Sequence, residues 1–120
     1  MDSETTILGL KNQVKQFCDD REWDEFHNAK EFFIGIITEA SELLEQFRFK
    51  SESEIEEMLK DSNKRESIGN KLADVFISLL RFAQRYDFDL SDELSTKITI
   101  NEINYPISKA KGSSKKYTEL

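Results

Sequence analysis

The sequence predicts an all-α fold, a four-helix bundle-like domain that assembles into an oligomer, on three observations. Apolar residues recur at spacings of three and four along four stretches, and nowhere does the chain alternate with the period of a β-strand. Four Gly and one Pro in 120 residues are few turn formers for a β fold. Two of the four stretches are apolar over more girth than one bundle core covers, so part of their surface is expected to meet a second subunit.

The first helix is expected from about residue 4 to 18, with Ser3 as N-cap and Ile7, Leu10, Val14 and Phe17 at helical spacing. Cys18 is the one cysteine, so it rules out an internal disulfide, and its place reads as core. Asp19 to His27 is a polar connection that carries Trp23, Phe26 and His27. Rings in such a loop serve either as a lid over the core or as a stacking surface for a ligand. Asn28 with Glu31 resembles a capping box. It opens the stretch on which the chain is organised, Phe32 to Phe49.

There Phe32, Phe33, Ile36, Ala40, Leu43, Leu44 and Phe47 share one broad arc, whereas Ile34 and Phe49 lie away from it. Gly35, Glu39, Glu42 and Gln46 form a stripe at its margin. Lys50 to Lys64 reads as a charged connector in which Ser53 with Glu56 caps a short helical turn. Asn63 with Glu66 starts a long third helix reaching about Tyr86, apolar over more than half its circumference. Its remaining stripe is Lys71, Asp74, Ser78, Arg81 and Arg85. A fourth helix is expected from about Ser91 to Asn104, and Tyr105-Pro106 ends it, because the residue before a proline is pushed out of the α region. A single domain is thus expected over 1–111, followed by a polar, disordered tail over 112–120.

The net charge is −7, from 24 acidic and 17 basic residues, which argues against a nucleic-acid polymer as partner. It leaves room for a small anionic ligand that arrives with a cation. No apolar run follows Met1 and none approaches a membrane span, so a cytoplasmic protein with no membrane partner is expected.

Glu39 and Glu42 are three apart, so their carboxylates leave the helix side by side and repel. A hard cation such as Mg²⁺ turns that repulsion into a ligand pair. Asp74 on the third helix can be aimed at the same point, as bundles build their metal sites. The fourth ligand expected one turn before Asp74 is absent, because position 71 is Lys. On the residues alone this is an incomplete acidic cluster, or two glutamates that edge a solvated face.

Five segments in order resemble the MazG-like, all-α nucleoside triphosphate pyrophosphohydrolases, and within them the short dCTP pyrophosphatase type. The family's E-x-x-E is present as Glu39-Ala-Ser-Glu42, and its E-x-x-D as Lys71-Leu-Ala-Asp74, with Lys for the first Glu. REWDEFHNAKE is similar to R-D-W-x-x-F-H-x-P-R, with Ala29 in place of the proline. Lys97-Ile-Thr-Ile-Asn101-Glu-Ile-Asn-Tyr105-Pro106 is similar to K-x-x-x-N-x-x-x-Y-P, and KKYTEL to a basic K-Y-x-E-L ending. The resemblance runs from about residue 17 to 120.

It implies an all-α NTP pyrophosphatase fold and the attack of water on the α-phosphorus of a (deoxy)nucleoside triphosphate, giving monophosphate and pyrophosphate. Glu39, Glu42 and Asp74 are then the catalytic residues and hold Mg²⁺, which bridges phosphate oxygens. One carboxylate takes the proton of the water, and which one stays open. Lys30 and Lys97 contact phosphates, Asn101 donates a hydrogen bond, Tyr105 belongs to the same motif, and Trp23 and His27 face the base. An aromatic, often Trp, stands in dCTP-type members where Phe49 is here, and a Tyr often stands where Ser78 is. The pocket wall therefore differs, and the preferred base with it.

Three readings follow. The first is an Mg²⁺-dependent pyrophosphohydrolase working as a homo-oligomer, a dimer or a dimer of dimers. The second is a catalytically impaired nucleotide-binding or regulatory protein, motivated by Lys71. The third is a helical interaction module without a ligand, motivated only by the surplus apolar surface.

Overall fold

Each long helix begins where a short oxygen-bearing side chain satisfies a free backbone N–H of its first turn. The computed structural model describes residues 1–120. Thr6, not Ser3, accepts from the Gly9 N–H at 3.0 Å and starts α1 (Ile7–Asp19). Residues ahead of it are taken up by a turn in which the Glu4 N–H donates to the Met1 carbonyl. A single 3₁₀ turn, Asp24–Phe26, leads to Asn28, which accepts from the Glu31 N–H and opens α2 (Ala29–Phe47). This helix stops short of Phe49. Arg48 is extended and Phe49 has φ of 62°, so its ring leaves the helical register altogether.

The charged connector holds a full helix, α3 (Glu52–Lys60). Ser51 and Glu54 form its capping box, rather than Ser53 and Glu56, and Met58 is its buried residue. α4 (Ser62–Arg85) is likewise capped one residue pair earlier than Asn63, by Asp61 accepting from the Lys64 N–H at 3.0 Å.

The chain divides into two compact units, Met1–Asp87 and Phe88–Leu120. In the first, α4 is the central helix, and α1, α2 and α3 all pack on it. Each helix sends few residues inside: Cys18 from α1, Phe32 from α2, Met58 from α3, and Ile68, Leu80 and Ala83 from α4. A large side chain buried in this way contributes about 1.5–3 kcal/mol. The apolar residues off that core remain uncovered in the single chain. Ile34 and Phe49 are exposed, as are Ile37 and Leu44 of α2 and Leu72, Phe76 and Ile77 of α4.

In the second unit, Asp89 caps α5 (Leu90–Asn104) by accepting from the Asp92 N–H. Tyr105 ends the helix before Pro106, as the sequence predicts. The short α6 (Ile107–Ala110) follows. The last residues are ordered by a contact the composition conceals: Tyr117–Glu119 form a 3₁₀ turn, and the Tyr117 ring meets Tyr105 edge-on at 5.7 Å. No helix is long and apolar enough to cross a membrane.

Candidate functional site

Gly35 brings α2 and α4 together. A Cβ at this position would lie 3.3 Å from Ser78 Oγ, tighter than an ordinary contact, so the absent side chain sets the approach of the two helices. Further along α2, Glu39 and Glu42 face Lys71, which lies earlier on α4. The two helices therefore run antiparallel, and their polar stripes share one groove.

At one end of that groove the charges converge on an ammonium. Lys71 Nζ donates to Glu39 Oε2 at 3.0 Å and to Glu42 Oε2, and stands 3.9 Å from Asp74 Oδ2 as an ion pair. The hydrogen bond from Lys71 holds the Glu42 carboxyl below its ordinary range. The bonds to Glu42 and Glu39, in that order, push the Lys71 ammonium up. Three carboxylates and one ammonium leave the cluster with a net charge of −2. The donor atoms suit a hard dication, but the point they surround is taken by a cation that cannot ligate. No group of three or more His, Cys, Asp or Glu side chains is placed to hold a metal ion. As arranged, the cluster does not fit Mg²⁺; it is an ammonium site.

At the other end lies a cavity of about 500 Å³ walled by Trp23, Phe26, His27, Phe32, Gly35, Ser78 and Arg81, among others. Its rings form a continuous run: Phe17 to Trp23 at 5.6 Å, Trp23 to His27 at 5.9 Å, His27 to Phe32 at 5.5 Å. Two polar groups are buried in this apolar wall without hydrogen-bond partners, His27 Nδ1 and the Nε and Nη2 of Arg81. Arg81 Nη2 does touch the Asp24 carboxylate as an ion pair. Arg85 fastens the same turn, donating from Nη1 to the Asp24 carbonyl at 2.8 Å.

Of the residues that the sequence singles out, the structure joins Glu39, Glu42, Asp74 and Lys71 in the cluster, and Trp23 and His27 in the cavity. Lys30 is exposed near the start of α2, outside the cavity lining. Phe49 is 90% exposed, with the Arg48 guanidinium 4.5 Å over its ring. Lys97, Asn101 and Tyr105 belong to the second unit, at four-residue spacing along one side of α5 and its end. Sequence reasoning named Arg81 only as part of a polar stripe. The signal that was available is its neighbourhood: Leu79, Leu80, Phe82 and Ala83 surround it, and a charge so placed is rarely solvated on all sides.

Comparison with known proteins supplies further findings. Residues 34–120 match the model of the MazG-like family. A dCTP pyrophosphatase 1 of Homo sapiens is 32% identical over 117 residues, which covers 98% of this chain and 69% of that protein. That of Mus musculus is 30% identical with the same coverage. Among solved structures, a pyrophosphatase from Archaeoglobus fulgidus superposes with a TM-score of 0.75 at 30% identity, over 81% of this chain and 89% of its own.

Proposed function

The chain belongs to the MazG-like family, and from that premise we propose that it is a nucleoside triphosphate pyrophosphohydrolase that releases a monophosphate and pyrophosphate. One observation carries the reading. The aromatic cavity and the charged cluster lie on the same two helices, one turn apart: Gly35 and Ser78 line the cavity, while Glu39 and Asp74 follow at four-residue distance. Four residues of helix rise about 6 Å. A base held in the cavity thus sets its α-phosphate beside the cluster.

Trp23 and His27 supply a stacking face and a polar contact for the base. Lys71 offsets phosphate charge, and a carboxylate beside it orients the attacking water and takes its proton. As the water oxygen bonds to the α-phosphorus, the bond to the departing pyrophosphate oxygen breaks. A net charge of −2 opposes a bare triphosphate, so the substrate is its Mg²⁺ complex. For Lys30, Lys97 and Asn101 the proposal is the one that their motifs imply, contact with phosphates. The uncovered apolar faces of α2 and α4 support a homo-oligomer as the working form.

A second reading is favoured by the grip of Lys71 on three carboxylates: nucleotide binding with little or no turnover. Pyrophosphate release from a panel of dNTPs, with and without Mg²⁺, measured beside equilibrium binding, separates the two. Release with at least one dNTP supports the first. Binding without release supports the second. Neither binding nor release overturns both.

A further inference from the structure

A buried guanidinium is costly unless its N–H groups find acceptors. Arg81 is 3% exposed and lines the cavity. One end is answered, since Nη1 donates to Gln84 Oε1. Along the other edge Nη2 is ion-paired with Asp24, and Nε donates no hydrogen bond. These two N–H groups point the same way in the guanidinium plane and form a fork matched to two adjacent acceptors. What touches the fork is the Asp24 carboxylate, itself a pair of acceptors, on a side chain that is 60% exposed. Asp24 itself can swing into water, and the Arg81 charge it leaves buried then needs acceptors from whatever enters the cavity. Ser78, one turn before Arg81, is too short to screen the fork from the cavity.

We propose that Arg81 determines base specificity: its Nε–Nη2 edge displaces Asp24 and hydrogen-bonds a nucleobase edge that bears two adjacent acceptors. The inference rests on the reading that the cavity holds the base. Guanine presents such an edge at O6 and N7, cytosine at N3 and O2. Adenine and thymine place a donor between their acceptors and offer no adjacent pair. On guanine and cytosine alike a further polar group flanks the acceptor pair, and His27 Nδ1 is a buried polar atom beside the cavity without a hydrogen-bond partner.

Trp23 is the one tryptophan and lines the cavity, so its fluorescence reports occupancy. The probes are the α,β-imido analogues of dGTP, dCTP, dATP and dTTP with Mg²⁺, which bind without turnover. In the wild-type chain the guanine or the cytosine analogue should bind roughly tenfold or more tighter than the adenine and thymine ones. Which of the two leads identifies the base. Arg81→Met should bring the preferred analogue down to the level of the rest, and Asp24→Asn, which weakens the competitor for the fork, should tighten it. Arg81→Lys keeps a charge for Asp24 without a fork; it should preserve folding and lose discrimination, which guards against a misfolded methionine variant.

Equal wild-type affinities overturn the proposal. So does a uniform loss for all four analogues in the Arg81 variants, since Arg81 would then only hold the 24–26 turn. In both cases nucleotide still binds and the base-site reading stands. If no analogue binds, both fall together.

Discussion

The two ends of the α2–α4 groove solve the same electrostatic problem in opposite ways. At the cluster, every charge has an answering charge within 4 Å, and the ammonium of Lys71 is shared by three carboxylates. At the cavity, Arg81 has the Asp24 carboxylate on its Nη2, but its Nε and His27 Nδ1 are buried among rings with no hydrogen bond to offset their desolvation. The first end has its central point taken by an ammonium and is complete by itself. The second is complete only when something brings acceptors and a donor. Satisfied polar groups hold a fold; unsatisfied buried ones mark where a ligand completes it.

The largest expected effect breaks the cavity while leaving the cluster alone. Phe32 is 5% exposed, and its ring meets His27 at 5.5 Å and Phe82 at 6.3 Å. Phe32→Ala should cost about 3–5 kcal/mol in chemical denaturation. Phe33→Ala, one residue on and 45% exposed, should cost far less. Equal losses would mean that the aromatic wall is not part of the core.

Lys71→Glu sharpens the contrast from the other side. It removes the shared ammonium and completes a four-carboxylate set, so Mg²⁺ binding by calorimetry should tighten roughly tenfold or more. The thermal midpoint without metal should fall, because four like charges then face each other. Unchanged metal affinity would show that Lys71 does not govern the cluster.

The smallest effect is on the pH dependence of stability. Glu42 titrates below its ordinary 4.5 in the folded chain, so its share of the Lys71 contact is present above that pH and lost as pH falls through the folded value. Lys71 is raised above its ordinary 10.5, so its share is present below that pH and lost as pH rises beyond it. The difference in thermal midpoint between wild type and Lys71→Met should therefore be flat from about pH 5 to 10 and shrink outside that range. It should be small throughout, since these groups are in contact with solvent. A difference that grows below pH 4 would contradict the pairing.

Local chemistry was legible wherever it is decided locally. The Asn28 cap, the end of α5 at Tyr105 before Pro106, and the burial of Cys18 and Phe32 follow from side chains within a turn of one another. Where two local solutions compete, the choice passes to packing. Ser51 with Glu54 and Ser53 with Glu56 are equal as caps, and in the folded chain, where α3 packs on α4 and Met58 is buried, the cap is Ser51 with Glu54.

The sequence by itself determined the all-α class and the pairs Glu39–Glu42 and Lys71–Asp74, because periodicity and i, i+3 spacing are properties of a single helix, whereas the meeting of the two pairs was decided by the packing of α2 on α4. It could not place Phe49, whose φ of 62° depends on how the chain leaves α2 for α3. It could not order the tail, because the Tyr105–Tyr117 contact joins residues twelve apart. Nor could it separate Arg81 from the solvated charges of its own stripe. Only the approach of α2 at Gly35, together with the aromatic turn held by Asp24, puts that guanidinium inside a cavity with Asp24 on its Nη2 and no hydrogen bond from its Nε. A charge's meaning is set by what surrounds it, and for Arg81 the surroundings come from three segments distant in the chain.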